Sequence, residues 1–318
     1  MLVDGSFLEN EVTAKNLVTL TGIQALETEK RVCEIRELAD DAARAAYSLY
    51  KEGYGIYEIL SIINEGIEFT EEIGTYYPME ENTSAVFAYV RTLAAEDKAA
   101  FSQFFAEKLR LYEIPMSESD FLREDKNGET FIYVKNLLAD EAYDVFSQEF
   151  LDPRVSYCQT FRDAVDSVLS GVTEYCILPL EERGGSRITG ISQMLFSEEL
   201  KISAVTPVFG MDGAADMKYA LVSRHFNVPE FDPEDDRYLE IRFMADSTAL
   251  LRDLLITADA HGVDVYRVNT VVFNTDDGPI PYFSVVFRKS KTDFSEFLVY
   301  LTLFCSSYTA VGIYNNLE

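Results

Sequence analysis

The spacing of apolar residues changes twice along this 318-residue chain, and those changes constrain the fold more than any single motif. From about Leu8 to Leu122 apolar positions recur three and four apart, as in Val32, Ile35, Leu38, Ala39, Ala42 and Ala46, then in Ile56, Ile59, Leu60, Ile62, Ile63 and Ile67. A helix turns every ~3.6 residues, so this spacing lays one apolar stripe along each helix and predicts a helical N-terminal domain over 1–127. Gly53, Gly55 and Tyr77-Pro78 punctuate the region, and Phe101, Phe104 and Phe105 are expected in its core. The polar stretch from Ser117 to Glu129 is expected as the first boundary.

Short strands then alternate with helices. Strands are predicted at Phe131 to Val134, Val155 to Cys158, Tyr175 to Leu178, Ile202 to Val208 and Tyr219 to Val222. Helices are predicted at Asp140 to Phe150, Arg162 to Ser170 and Ile191 to Leu200. The alternation implies an α/β domain over 128–230 with a mostly parallel sheet. An acidic linker, Phe231 to Asp236, leads into the order strand, helix, strand, strand, helix, strand over 237–318, with Asp276-Asp277-Gly278 as the hairpin turn. That is the ferredoxin-like α+β order.

The formal charge of -28 repels polyphosphate, so nucleic acid and anionic membrane surfaces are poor partners, although a small anion can still bind where a few cations converge. Cys33, Cys158, Cys176 and Cys305 form no C-x-x-C pair and the only histidines are His225 and His261, so no metal site or cofactor is expected. Cys158 and Cys176 read as small buried thiols, and His261 before Gly262 as a cation at a helix C-terminus. No leader-like segment opens the chain and no run approaches ~18 apolar residues, so a cytoplasmic protein is expected.

The run Thr160-Phe161-Arg162-Asp163-Ala164-Val165, then Gly171, then Tyr175-Cys176-Ile177-Leu178-Pro179-Leu180-Glu181, resembles prephenate dehydratases. In that family a Ser-Phe pair opens a helix and a later strand runs into Pro-Ile-Glu-Asn-Ser. The resemblance covers roughly residues 130 to 318 and implies a periplasmic-binding-protein-like α/β fold followed by a regulatory ACT domain. The departures are substantial. Lys135-Asn136-Leu137-Leu138 stands where the family has a Gly-Pro-x-Gly-Thr loop, and Glu182-Arg183 replaces Asn-Ser. The Thr-Arg-Phe signature falls on Met217-Lys218-Tyr219, or in another register on Ser223-Arg224, and the stretch from Phe209 to Met217 is too short for the family's second lobe. The ACT-like part has Thr248-Ala249-Leu250 and Asn269-Thr270-Val271-Val272 where phenylalanine-binding members carry Gly-Ala-Leu and Glu-Ser-Arg-Pro.

No residue is assigned to catalysis. The candidate ligand-binding set is Lys135, Asn136, Thr160, Glu181, Arg183, Arg187, Asp246, Ser247 and Asn269. Glu181 reads more readily as a solvated loop residue than as a ligand. Lys135, Arg183 and Arg187 are expected either to converge at the strand ends, where open α/β sheets bind ligands, or to be surface charges. Gly184-Gly185 reads as a turn, and Asp246 and Ser247 as helix caps. The expectation is a truncated, non-catalytic relative that binds a small molecule or acts in regulation or assembly; the alternative is a working dehydratase or related lyase with a rearranged site. A homodimer through the C-terminal sheet is expected, because the strand from Val265 to Phe273 leaves both faces partly apolar.

Overall fold

The computed structural model describes residues 5–63, 81–122, 128–210, 215–230, 232, 234–245, 248–275, 278–305 and 308–317. The elements described in the predicted helical region are all helices. Helix α1 (Gly5–Lys51) is followed by α2, described over 56–63, then α3 (Glu81–Arg91), α4 (Ala95–Leu111) and the short α5 (Glu118–Phe121). Ala39, Ala42, Ala43 and Ala46 of α1 are fully buried. Side chains this small let α4 lie close, with Phe101 and Phe105 stacked at 5.7 Å between ring centroids. Glu96 and Asp97 at the start of α4, with Lys108 and Arg110 at its end, oppose the helix dipole favourably. The Tyr77-Pro78 break lies outside the described residues.

The last third has the predicted order: β6 (Arg237–Met244), α9 (Thr248–Ala260), β7 (Asp264–Thr275), β8 (Gly278–Lys289), α10 (Ser295–Phe304) and β9 (Thr309–Asn315). Its antiparallel sheet runs β7-β8-β6-β9, the ferredoxin-like arrangement. The Asp276-Asp277 part of the hairpin turn lies outside the described residues. Leu239, Ile241 and Phe243 alternate along β6 and, with Val285 and Phe287, face the two helices. Helix α4 packs on the outside of α9 and α10, so the helical region and this sheet share one apolar core. Buried Glu118 ties the two parts together, since Arg237 Nη2 lies 2.5 Å from its Oε2 and the Phe294 N–H donates to its Oε1 at 2.8 Å.

The same packing corrects the reading of His261. Its Nδ1 lies 2.9 Å from the Thr257 carbonyl and its Nε2 3.0 Å from Ser102 Oγ on α4. A carbonyl can only accept, so Nδ1 carries the proton. Burial, above all, lowers the pKa of the ring, against smaller raising effects of the Thr257 carbonyl and Glu296. His261 is therefore a neutral core residue rather than a helix-end cation.

Between these parts lie β1 (Thr130–Val134), α6 (Leu137–Phe146), β2 (Arg154–Cys158), α7 (Phe161–Leu169), β3 (Tyr175–Glu182), α8 (Thr189–Ser197), β4 (Lys201–Phe209) and β5 (Ala215–Ser223). The sheet order is β2-β1-β3-β5-β4. β1 is parallel to β2 and β3, while β5 is antiparallel to both β3 and β4, so four strands share one direction. Only residues 210–214 join β4 to β5. Helix α6 covers one face, and α7 with α8 the other.

The two sheets meet along β4 and β9. Val205 and Asn316 form a parallel bridge, the Leu317 N–H donates to the Val205 carbonyl at 2.8 Å, and Lys201 Nζ donates to the Ala310 carbonyl at 3.1 Å. Helix α8 then lies over the second sheet, where Phe196 stacks on Phe273 with centroids 3.5 Å apart and Arg242 lies 4.8 Å over Phe196. The sheet face opposite α9 and α10 is thus covered within one chain.

Candidate functional site

Where the two sheets face each other, buried charges gather around Glu181. Just beyond it the chain reverses through Gly184 and Gly185, whose φ values of 92° and 83° are ones that side-chain-bearing residues rarely adopt. The turn is closed by Glu182 N–H to Ser186 O and Gly185 N–H to Glu182 O, both 2.9 Å, and it sets Arg187 opposite Glu181. The turn reading of the glycine pair holds; the solvated-loop reading of Glu181 does not. Glu181 is 4% exposed.

Both carboxylate oxygens of Glu181 are engaged. Arg267 on β7 grips them as a fork, Nη1 to Oε1 at 2.5 Å and Nη2 to Oε2 at 3.2 Å, and Arg187 Nε lies 3.3 Å from Oε1. Arg187 turns its other edge to Glu240 on β6, with Nη2 2.6 Å from Oε2. Glu240 also accepts from Ser284 Oγ at 3.1 Å and from the Tyr314 hydroxyl at 3.3 Å. Burial works against the charge of Arg187, but Glu240, Tyr314 and Glu181 around it outweigh burial and raise its pKa. Burial first, then Glu240, carries the Tyr314 hydroxyl far above its ordinary pKa, which keeps it a neutral donor. Two acids thus meet two guanidinium groups, a pairing that makes desolvation of all four tolerable. The space lined by Leu180, Glu181, Arg187, Lys218, Tyr238 and Tyr314 is about 20 Å³. That volume admits about one water molecule and no metabolite.

Of the candidate residues, Glu181 and Arg187 are brought together. Asn269 lies on β7 opposite Ser284, two residues along the strand from Arg267 and so on the same face. The others are elsewhere. Lys135 Nζ is 4.5 Å over the Tyr157 ring, and Arg183 Nη1 is 3.2 Å from Asp216, so Lys135, Arg183 and Arg187, read either as converging or as surface charges, each have a separate partner. Asn136 caps α6, its Oδ1 accepting from the Ala139 N–H at 2.9 Å, and Thr160 caps α7 in a reciprocal pair with Asp163. Asp246 and Ser247 lie outside the described residues. In the alternative register, Ser223 Oγ donates to the His225 carbonyl at 2.6 Å and Arg224 Nη1 to the Leu169 carbonyl at 3.2 Å. In the favoured one, Lys218 pairs beside Glu181 on the neighbouring strand. Cys176 and Cys305 are buried free thiols, and burial holds Cys305 up at about 12, so neither is a ready nucleophile.

Sequence reasoning missed Arg267, Glu240, Ser284 and Tyr314. Glu240 and Arg242 alternate with Leu239, Ile241 and Phe243, which reads as the solvent face of a half-buried strand.

The class this architecture defines is a mixed α/β protein with N-terminal helices and two sheets. No family model matches the sequence, and no curated protein matches it. Among solved structures the chain is similar to a prephenate dehydratase from Streptococcus mutans, with a TM-score of 0.49 and 13% identity over 60% of this chain and 100% of that one. It is also similar to GqqA, described as a novel type of quorum-quenching acylase, with a TM-score of 0.44 and 17% identity over 59% of this chain and 95% of that one. A prephenate dehydratase in complex with L-Phe from Arthrobacter aurescens gives a TM-score of 0.41 and 15% identity over 58% and 89%. Among the described residues no group of histidine, cysteine, aspartate and glutamate is placed to hold a metal, and no helix is long and apolar enough to cross a membrane.

Proposed function

We propose that this chain is a prephenate-dehydratase-like protein without dehydratase turnover, in which an ACT-like C-terminal unit and a single α/β lobe serve small-molecule binding, regulation or assembly. The observation that carries the reading is the engagement of Glu181. It is the one motif carboxylate kept from the family pattern, and both of its oxygens are taken by Arg267 and Arg187. A carboxylate so held neither moves a proton at a substrate nor repels or orients one. The five-residue link 210–214 supports the same reading, because a single lobe forms no cleft that excludes water from a reacting dianion. Purified protein incubated with prephenate should give no phenylpyruvate above the uncatalysed rate. Turnover that disappears in Glu181→Gln while the fold is retained would overturn the reading and return the chain to the lyases.

The assembly part of the proposal is a homodimer paired along β7. This twelve-residue strand is an edge of its sheet, and Val265, Val268 and Val272 on it are 40%, 39% and 48% exposed. An apolar edge of that length invites strand pairing with another copy. Light scattering of the full chain at moderate salt should give a dimer, and Val268→Lys a monomer; a wild-type monomer would remove this part. The cytoplasmic setting is proposed on the four free cysteines.

A further inference from the structure

The helical region and the ferredoxin-like unit meet along one side of α4. Gln103 Nε2 of α4 donates to the Ala260 carbonyl at the end of α9 at 2.5 Å, and Arg110 Nη1 lies 2.5 Å from Glu296 on α10. Both contacts are exposed. Between them Ser102 Oγ lies 3.0 Å from His261 Nε2, and this pair is buried.

Proton count decides what the buried contact can do. Nδ1 of His261 donates to the Thr257 carbonyl at 2.9 Å, so Nε2 of the neutral ring is a bare acceptor. Ser102 has one hydroxyl proton and two acceptors within reach, Nε2 and the Ala99 carbonyl at 2.9 Å. With the ring neutral, that proton serves Nε2. When Nε2 takes a proton from solvent it becomes the donor, Ser102 Oγ accepts, and the hydroxyl turns to Ala99. Both protonation states therefore keep the bond across the seam.

The two states differ in charge. The ring packs beside Phe297 and Tyr300 of α10, with centroids 5.9 and 6.1 Å away, and burial keeps the Tyr300 hydroxyl neutral. Lys289 on β8, itself buried, opposes a second cation there, whereas Glu296 favours one but is already held by Arg110. From α9 the Thr257 carbonyl faces the ring, and from α4 only the uncharged Ser102. An imidazolium at this place is a buried charge without a carboxylate in contact, which is costly.

We propose that His261 is a proton-operated latch, which fastens α4 to α9 while neutral and lets the helical region loosen from the ferredoxin-like unit once charged. The direction follows from burial, the largest influence, which lowers the pKa of the ring from its ordinary 6.5. The opened state then binds the proton first, so opening becomes easier as pH falls below that value and is independent of pH well above it. The inference stands apart from the loss of dehydratase turnover, and its test involves no prephenate.

Hydrogen exchange of the full chain at pH ~7.5, ~6.5 and ~5.5, corrected for the intrinsic rate at each pH, provides the test. Opening of α4 and α9 should rise ~5-fold or more from the highest to the lowest pH, while β1 and β3 keep their protection. His261→Leu should abolish the rise. It strands no polar group, since Ser102 then donates to Ala99 and the Thr257 carbonyl keeps the backbone N–H of residue 261. Ser102→Ala removes the oxygen that accepts from a protonated Nε2, so the His261 ring should titrate lower than in the wild type. Proton resonance of the two histidine rings, assigned with His225→Gln, reads that shift independently of the leucine variant. Exchange of α4 that is flat in the wild type, a rise that persists in His261→Leu, equal loosening of β1 and β3, or a ring that titrates no lower in Ser102→Ala would overturn the proposal.

Discussion

Gly312→Ala should lower the stability of the chain by roughly 3 kcal/mol, read as a fall in the urea midpoint with the slope unchanged. The sign is informative, because replacing a strand glycine by alanine ordinarily gains about 0.5–1 kcal/mol by restricting the unfolded chain. Gly312 has no positive φ, so nothing in its backbone resists a side chain. What resists is the neighbouring strand. A Cβ on Gly312 would fall inside contact distance of the Ile202 carbonyl oxygen and 3.2 Å from the Ile202 Cβ. Backbone of β4 cannot rotate away as a side-chain end can, so β9 would have to lift off it. The bridge from Val205 to Asn316 and the bond from Lys201 to the Ala310 carbonyl would go with it. Gly190, in α8 with nothing within 4 Å of its virtual Cβ, is the matched control, and its alanine variant should gain up to about 1 kcal/mol. A neutral or stabilising Gly312→Ala would mean that the two sheets are not docked through this strand.

Most of the element order was legible because each piece rests on local periodicity. Ile35, Ala39, Ala42 and Ala46 mark a helix stripe, and Leu239, Ile241 and Phe243 mark a strand face, whatever surrounds them. The candidate site was legible only in part, because it depends on what meets that strand's other face. Glu240 and Arg242 look like solvent-facing residues, yet the face they occupy is covered by α8 and by the turn through Gly184 and Gly185. Arg267 grips Glu181 across 86 positions of sequence, a pairing that no local pattern announces. His261 was misread for the same reason. Its own helix end suits a cation, but Ser102, brought in by α4, helps to bury it. Thr160 shows the converse, since its hydroxyl is used locally in the cap of α7 with Asp163.

The central claim is that the charges at the junction hold two sheets together and are not available to a reaction, and Glu240 tests it most directly. Glu240→Ala takes away the partner of Arg187 Nη2 and the acceptor of the Ser284 and Tyr314 hydroxyls in one change. Breaking one side of a buried ion pair costs about 3–5 kcal/mol, since the guanidinium left behind stays desolvated with less to neutralise it. Replacing both sides costs less, so adding Arg187→Met to Glu240→Ala should recover part of the loss rather than deepen it. Urea unfolding of the wild type, both single variants and the double variant gives the coupling. We expect a large loss for each single change and a double variant more stable than the sum of the two predicts. Single variants no less stable than a change at an exposed carboxylate such as Asp152, with simple additivity in the double, would contradict the account.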